Sequence, residues 1–168
     1  MLRKSSDYHF IDLGSGKARA LIYAAESGFD RCTGVEFSPA LHAVAEQNIE
    51  AYRKAANSDC RFALHCMDAV DFEFPDEDIV LFMYNPFSSE VMRPVISKLR
   101  EFIEKSDRDL LLLRRRPRSS HERHPVLFPG DGEVVAAVRR LRRTVELADT
   151  VLQQLLQVTV LPGRLVVS

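Results

Sequence analysis

Short apolar runs alternate with longer amphipathic stretches through the first 113 residues of the chain. The apolar runs predict five strands, at 8–13, 31–36, 61–65, 78–84 and 109–113. Apolar residues at helical spacing predict helices over 17–27, from Pro39 to about Ala55, and from Ser88 or Ser89 to about Glu104. Strands that alternate with helices in this way predict an α/β fold with a doubly wound, mostly parallel sheet.

The pattern changes after the fifth predicted strand. Residues 114–132 have no apolar periodicity and predict a basic loop rich in Arg, Pro, Ser and His. Residues 133–157 predict a long helix with a heptad seam, which either packs on the sheet or forms a homodimer through 134–155. Two short apolar runs around Pro162-Gly163 predict a terminal hairpin. We therefore expect one domain over 1–168, with its core at 8–113.

Bulk composition is typical of a soluble globular protein, with 46% hydrophobic and 28% charged residues in a chain of 168. No apolar run is long enough to cross a bilayer, and the first six residues lack a signal-peptide core. Cys32, Cys60 and Cys66 are not spaced as zinc ligands or as a disulfide framework. We therefore expect a cytoplasmic protein with no metal site and no membrane partner.

The net charge of −1 conceals a division along the chain. Residues 1–113 hold 13 basic and 19 acidic side chains, whereas residues 114–143 hold 9 basic and 3 acidic ones. A basic block of this kind either contacts nucleic acid or an acidic partner, or forms a solvated loop and helix face. Few aromatic residues lie among its arginines, which favours the solvated face.

The most informative local feature follows the first predicted strand. Gly14 and Gly16 allow backbone angles and a close approach that a Cβ would prevent. The helix expected from about Lys17 points its unpaired amides over this turn. Glu36 follows Gly16 by twenty residues, where a carboxylate accepts hydrogen bonds from both hydroxyls of a ribose. The turn and this acid together predict a pocket for a nucleotide-type cofactor.

Two details distinguish between such cofactors. A dinucleotide pattern needs a small residue where this chain has Arg19. Asp12-Leu-Gly-Ser-Gly16 instead resembles the first motif of the class I S-adenosylmethionine-dependent methyltransferases. A carboxylate at the strand tip suits their cofactor, which carries a sulfonium and an ammonium but no pyrophosphate. The resemblance implies a Rossmann-like fold, S-adenosyl-L-methionine as the cofactor, and cofactor contacts from Asp12, Gly14, Ser15 and Gly16.

Two later segments resemble further cofactor segments of the same family. Gly34-Val-Glu36-Phe-Ser-Pro39 resembles the second one, which implies that Glu36 binds the ribose and that Phe37 lies beside the cofactor. Cys66-Met67-Asp68-Ala69 resembles the segment whose acid and apolar neighbour hold the adenine ring. Asp68 and Met67 are the matching residues here.

A fourth segment follows the fourth predicted strand and bears on the acceptor. Asn85-Pro86-Phe87 resembles the Asn/Asp-Pro-Pro-aromatic motif of amino-group methyltransferases, with one proline fewer. The resemblance implies that Asn85 contacts the cofactor and that Asn85, Pro86 and Phe87 are catalytic, with oxygens that orient an amine and a ring that stacks on the acceptor. The alternative is a turn after the strand, with Phe87 in the core.

The chain also departs from the family pattern. It begins almost at the first strand, so we expect the N-terminal cap helices to be absent, and Ala18 stands where a third glycine is usual. A non-catalytic remnant that binds S-adenosylmethionine is therefore one alternative. A nicotinamide-dependent oxidoreductase is disfavoured by Arg19 and by the short chain.

The favoured hypothesis is transfer of a methyl group to nitrogen, which needs no metal because the sulfonium already activates the carbon. The motifs together resemble those of the Dot1-like protein-lysine methyltransferases, so protein lysine is the preferred acceptor. A nucleic-acid base is the next choice, supported by Asn85-Pro86-Phe87 and the basic block at 114–143.

Overall fold

The computed structural model describes residues 4–83, 89–114 and 140–141. After a 3-10 turn at Ser5–Asp7, the elements are β1 (His9–Leu13), α1 (Arg19–Glu26), β2 (Arg31–Glu36), α2 (Pro39–Ala56), β3 (Arg61–Cys66), β4 (Ile79–Met83), α3 (Ser89–Lys105), β5 (Leu110–Arg114) and β6 (Arg140–Leu141). They form one sheet in the order β3-β2-β1-β4-β5-β6, in which β1 to β5 are parallel. The predicted α/β, Rossmann-like sheet is confirmed.

Local chemistry explains where the helices begin. α2 begins as predicted, because the Ser38 hydroxyl accepts a hydrogen bond from the Leu41 N–H at 3.4 Å and Pro39 occupies the first helical turn. α1 begins two residues later than predicted. Ala18 precedes it with a φ of 63°, a left-handed conformation that a right-handed helix does not contain. Within the described residues, no helix is long and apolar enough to cross a membrane.

The sheet carries a hydrophobic core on each face because side chains alternate along every strand. On one face, Ile11 and Leu13 of β1 join a cluster that includes Val95 and Leu99 of α3. On the other face, Phe10 of β1 joins a cluster with residues of α1 and α2, among them Leu21, Ala24, Ala45 and Ile49. Helices on both faces leave the strand ends as the place where a ligand can reach the backbone.

One prediction from the C-terminal region is wrong. The heptad pattern predicts a helix over 133–157, but Arg140–Leu141 form β6 and pair antiparallel with β5 at Leu110 and Leu111. Among the described residues, this segment is the one that pairs with that side of β5. A short apolar pattern does not distinguish helix from strand. The rest of the predicted helix lies outside the described residues, and so do its proposed homodimer interface and the terminal hairpin. The same holds for residues 115–132 of the predicted basic loop.

The strand order reverses next to β1. The chain runs from β1 to β2 and β3 on one side, and returns to β4 and β5 on the other. In the parallel register, Leu13 at the end of β1 lies between Val35 of β2 and Met83 of β4. The carboxyl ends of β1, β2 and β4 therefore meet at the switch point, where open α/β sheets bind their ligands.

Candidate functional site

The glycine loop after β1 is fastened to the end of β2. The backbone N–H groups of Gly14 and Ser15 both donate to the carbonyl oxygen of Val35, at 2.8 and 3.0 Å. Gly14 has a φ of 82° and Gly16 a φ of 54°, angles that residues with a Cβ rarely adopt. These positive angles let the chain turn sharply out of β1 and keep its amides near the strand ends.

Glu36 closes the same loop from the end of β2. One carboxylate oxygen accepts the Gly16 N–H at 2.8 Å, and the other accepts the Ser38 N–H at 2.8 Å. The side chain is nearly buried between the loop and the start of α2. Each carboxylate oxygen has a second lone pair, so this arrangement leaves acceptor capacity for two further donors such as a diol.

Two glycines at this edge serve different purposes. A Cβ on Gly34 would lie 2.7 Å from Leu21 Cδ1 and 2.8 Å from Ser15 Oγ, so its absence lets the loop and α1 pack onto β2. A Cβ on Gly16 would meet no atom of the described residues within 4 Å. The loop is thus tightly packed on the side that faces Gly34 of β2, and it is open on the side of Gly16.

Asp12 is the most unusual group of the site. It is only 3% exposed, and its Oδ1 has no hydrogen-bond partner among the described residues. Burial, and secondarily the negative charge of Glu36, raise the pKa of the Asp12 carboxyl to about 7. A buried carboxylate oxygen without a donor costs free energy, and a cationic donor would remove that cost.

The remaining predicted cofactor residues lie at the ends of β2 and β3. Phe37 directly follows Glu36 and is 71% exposed, which is unusual for a phenylalanine. The Met67 N–H donates to the Glu36 carbonyl oxygen at 3.1 Å, and the Met67 side chain packs on the core. Asp68 Oδ1 accepts the Val70 N–H at 3.0 Å within its own turn. An exposed ring and a turn with an acid therefore flank Glu36.

The structure thus brings together Asp12, the glycine loop and Glu36, with Phe37, Met67 and Asp68 beside them. Asn85, Pro86 and Phe87 lie outside the described residues. Their predicted roles, and those of the cofactor residues, stay predictions. The sequence did not predict that the Ser38 N–H is a partner of Glu36. The one signal for it was that an N-cap residue stands two positions after the acid.

A family described as "Methyltransferase domain" matches residues 10–105, more than half of the chain. None of the curated proteins matches this chain. The matched range contains the glycine loop, Glu36, the strands β2 to β4 and all of β1 except His9, so the family match covers the edge of the sheet at which these groups meet.

Several solved structures are similar to part of the chain. The magnesium protoporphyrin IX methyltransferase of Synechocystis PCC 6803, with bound S-adenosylhomocysteine, is 18% identical with a TM-score of 0.47, and the match covers 62% of this chain and 45% of that one. An O-methyltransferase from a trans-AT PKS multienzyme of Brevibacillus brevis, also with S-adenosylhomocysteine, is 16% identical with a TM-score of 0.48, over 64% and 35% of the two chains.

The PH0226 protein of Pyrococcus horikoshii OT3 is 18% identical with a TM-score of 0.45, and the match covers 64% of this chain and 49% of that one. The chain therefore spans half or less of the length of these three structures.

Proposed function

We propose a reaction for this chain from the premise that it belongs to the methyltransferase-domain family. It is a class I methyltransferase that uses S-adenosyl-L-methionine, in agreement with the Asp12-Leu-Gly-Ser-Gly16 motif and with the switch-point site. Within that class, we infer that the methyl group goes to a nitrogen atom, with the amino group of a protein lysine as the preferred acceptor.

The unpartnered Asp12 oxygen is the observation that carries the cofactor assignment. A buried carboxylate with no donor among the described residues suits a ligand that brings a positive charge. The open space over Gly16 leaves room for such a ligand at the same edge. A dinucleotide would bring a pyrophosphate instead, and its negative charge would be repelled by Asp12 and Glu36.

Named residues would hold the different parts of S-adenosylmethionine. Glu36 would accept the ribose hydroxyls with the lone pairs that Gly16 and Ser38 leave free. Phe37 offers an exposed ring face to the adenine, with Met67 and Asp68 on the neighbouring turn. When bound, the cofactor supplies a methyl carbon that its sulfonium activates for displacement. The protein then has to align the acceptor and exclude water.

The nitrogen acceptor is supported by the segment that follows β4. β4 ends at Met83, next to Leu13 of β1, and Asn85-Pro86-Phe87 begins two residues later in the chain. The oxygens of Asn85 and Pro86 would accept hydrogen bonds from the acceptor N–H groups and so direct the lone pair. Phe87 would hold the substrate cation over its ring.

A nucleic-acid base is the second candidate acceptor. The observation in its favour is the charge of residues 114–143, which hold 9 basic and 3 acidic side chains. An unpaired base would present an exocyclic amine to the same Asn85 and a flat ring to Phe87. A cofactor-binding module without turnover is the alternative to both.

Two measurements, made one after the other, test the proposal. Calorimetry with S-adenosylhomocysteine and with NAD should show binding of the first alone, and binding of NAD alone would overturn the cofactor assignment. Incubation of a lysate with methyl-labelled S-adenosylmethionine should then label protein, with the label recovered as methyl-lysine after hydrolysis.

Label in the nucleic-acid fraction would show that the acceptor is a nucleic-acid base and not a lysine. Label on hydroxyl or carboxyl groups would overturn the proposal of a nitrogen acceptor. Cofactor binding without any label transfer would support the non-catalytic module. Asn85→Ala is the matched variant for the transfer step, since it should lower the rate of labelling far more than the affinity for S-adenosylhomocysteine.

We also propose a reducing compartment, the cytoplasm, as the location of the protein. All three cysteines, Cys32, Cys60 and Cys66, are free thiols. Persistent free thiols at this frequency are typical of proteins kept in a reducing environment.

A further inference from the structure

Two buried cysteines face each other away from the cofactor edge. Cys32 lies near the start of β2, and Cys60 directly precedes β3. Their sulfur atoms are 3.6 Å apart, and both side chains belong to the core cluster covered by α1 and α2. Cys32 lies four residues before Glu36 along β2, so the pair is roughly 13 Å from the cofactor edge at the ordinary rise of a strand.

The two thiols are chemically unequal. The hydrogen bond between the two thiols lowers the pKa of Cys60. Burial and the charge of Asp30 oppose this effect, whereas the charges of Arg53 and Arg61 support it. The same hydrogen bond, together with burial, raises the pKa of Cys32. Cys60 retains 9% exposure, whereas Cys32 has none. Cys60 is thus the less buried of the two thiols and the one with the lowered pKa, which suits it to react first, with Cys32 as the resolving partner beside it.

We propose that Cys32 and Cys60 form a redox-reversible thiol pair, which a small hydroperoxide converts into an intrachain disulfide. In the first step, the Cys60 thiolate attacks a peroxide oxygen, the O–O bond breaks, and the leaving oxygen takes a proton. Cys60 is then a sulfenic acid.

In the second step, the Cys32 sulfur attacks the Cys60 sulfur, the S–O bond breaks, and the hydroxyl leaves as water with the Cys32 proton. With hydrogen peroxide, two thiols lose two electrons and one peroxide becomes two waters.

The disulfide would close the chain between residues 32 and 60, a loop that contains Glu36 and all of α2. Closing a loop of this length restricts the unfolded chain and so favours the folded state. The oxidised protein should therefore melt at a higher temperature, by roughly 5 °C or more. The cofactor edge lies at the opposite ends of the strands, so affinity for S-adenosylhomocysteine should stay within about twofold of the reduced value.

The experiment uses the full chain carrying Cys66→Ser, which removes the one exposed cysteine. After treatment with hydrogen peroxide, intact mass should fall by about 2 Da and both remaining thiols should be lost to thiol titration. A reductant should restore both. Peptide mapping should join the peptides of Cys32 and Cys60.

Cys32→Ala in the same background is the matched control. Without the resolving thiol, Cys60 should accumulate as a sulfenic acid that a dimedone probe traps, with no disulfide. The proposal is overturned if the Cys66→Ser protein keeps both thiols under peroxide that oxidises Cys66 in the unsubstituted chain. It is equally overturned if Cys60 passes to sulfinic acid with Cys32 still reduced. These readouts follow covalent state, so they are independent of whether the protein transfers methyl groups.

Discussion

Glu36 accepts a hydrogen bond from the backbone N–H of Gly16 at 2.8 Å, across twenty residues of sequence. The second oxygen of the same carboxylate accepts the Ser38 N–H. The acid that the motifs assign to the ribose therefore also holds the glycine loop against β2. Removing it should disturb the shape of the pocket as well as one contact inside it.

Glu36→Ala is expected to weaken both folding and binding. Two backbone donors lose their acceptor, which costs about 1–3 kcal/mol of unfolding free energy when the groups stay buried. Affinity for S-adenosylhomocysteine should fall by at least about tenfold, because the ribose loses its carboxylate as well. Urea unfolding and calorimetry measure the two effects.

Glu50→Ala is the control for this pair of measurements. Glu50 lies exposed on α2 and pairs with Lys54 one helical turn away, so its loss should leave the unfolding free energy almost unchanged. Its affinity for S-adenosylhomocysteine should equal that of the unsubstituted chain. Unchanged affinity in Glu36→Ala would show that the ribose assignment is wrong.

Gly16→Ala and Gly34→Ala separate the open side of the loop from the packed side. At Gly16 the new methyl meets open space, but the alanine must adopt a φ of 54°, which costs about 1 kcal/mol. The methyl also enters the region proposed for the cofactor. At Gly34 the methyl would overlap Leu21 and Ser15, so overpacking should cost about 1–3 kcal/mol.

The comparison should therefore show Gly16→Ala as the weaker binder and Gly34→Ala as the less stable protein. Thermal melts and calorimetry with S-adenosylhomocysteine test both halves. Equal affinity in Gly16→Ala and the unsubstituted chain would place the cofactor away from the glycine loop.

The stability of the ligand-free protein should depend on pH through Asp12. Its pKa is about 7 in the folded chain and near 3.8 when exposed. Between these values the folded state keeps the proton and the unfolded state releases it, so stability falls as pH rises from about 4 to about 7. At about 1.4 kcal/mol per unit of pKa, this contribution is about 4 kcal/mol over the interval.

Asp12→Asn removes that proton and should flatten this part of the pH profile. Urea unfolding of the unsubstituted chain and of Asp12→Asn, at a series of pH values, gives the unfolding free energy of each as a function of pH. The contributions of the other titrating groups cancel in the difference between the two slopes. If Asp12→Asn keeps the slope of the unsubstituted chain, Asp12 is already ionised in the folded protein at pH 5.

Binding of S-adenosylhomocysteine should release a proton below about pH 7. Its ammonium group would favour the ionised form of Asp12 and so lower the pKa of that carboxyl. Calorimetry at about pH 6 in buffers with different ionisation heats counts the released protons, with up to about one expected. Asp12→Asn should abolish the release. Release that persists in this variant would assign the proton to another group.

Sequence patterns predict most of the parallel sheet correctly because they report local properties. The strands at 31–36 and 61–65 and the start of α2 at Pro39 follow from apolar spacing and from one capping serine. These features depend on residues a few positions apart. The same logic failed at Arg140–Leu141, where pairing with β5, some thirty residues earlier in the chain, decides the conformation.

The sequence by itself determined which residues stand at the strand ends: an acid, a glycine turn and a second acid twenty positions later. Only the tertiary structure decided what those groups do to one another. Burial left Asp12 without a donor among the described residues, packing turned Glu36 onto the Gly16 amide, and adjacent strand starts brought Cys32 beside Cys60. Hydrogen bonds and desolvation act through space, so they depend on distances that spacing along a chain does not contain.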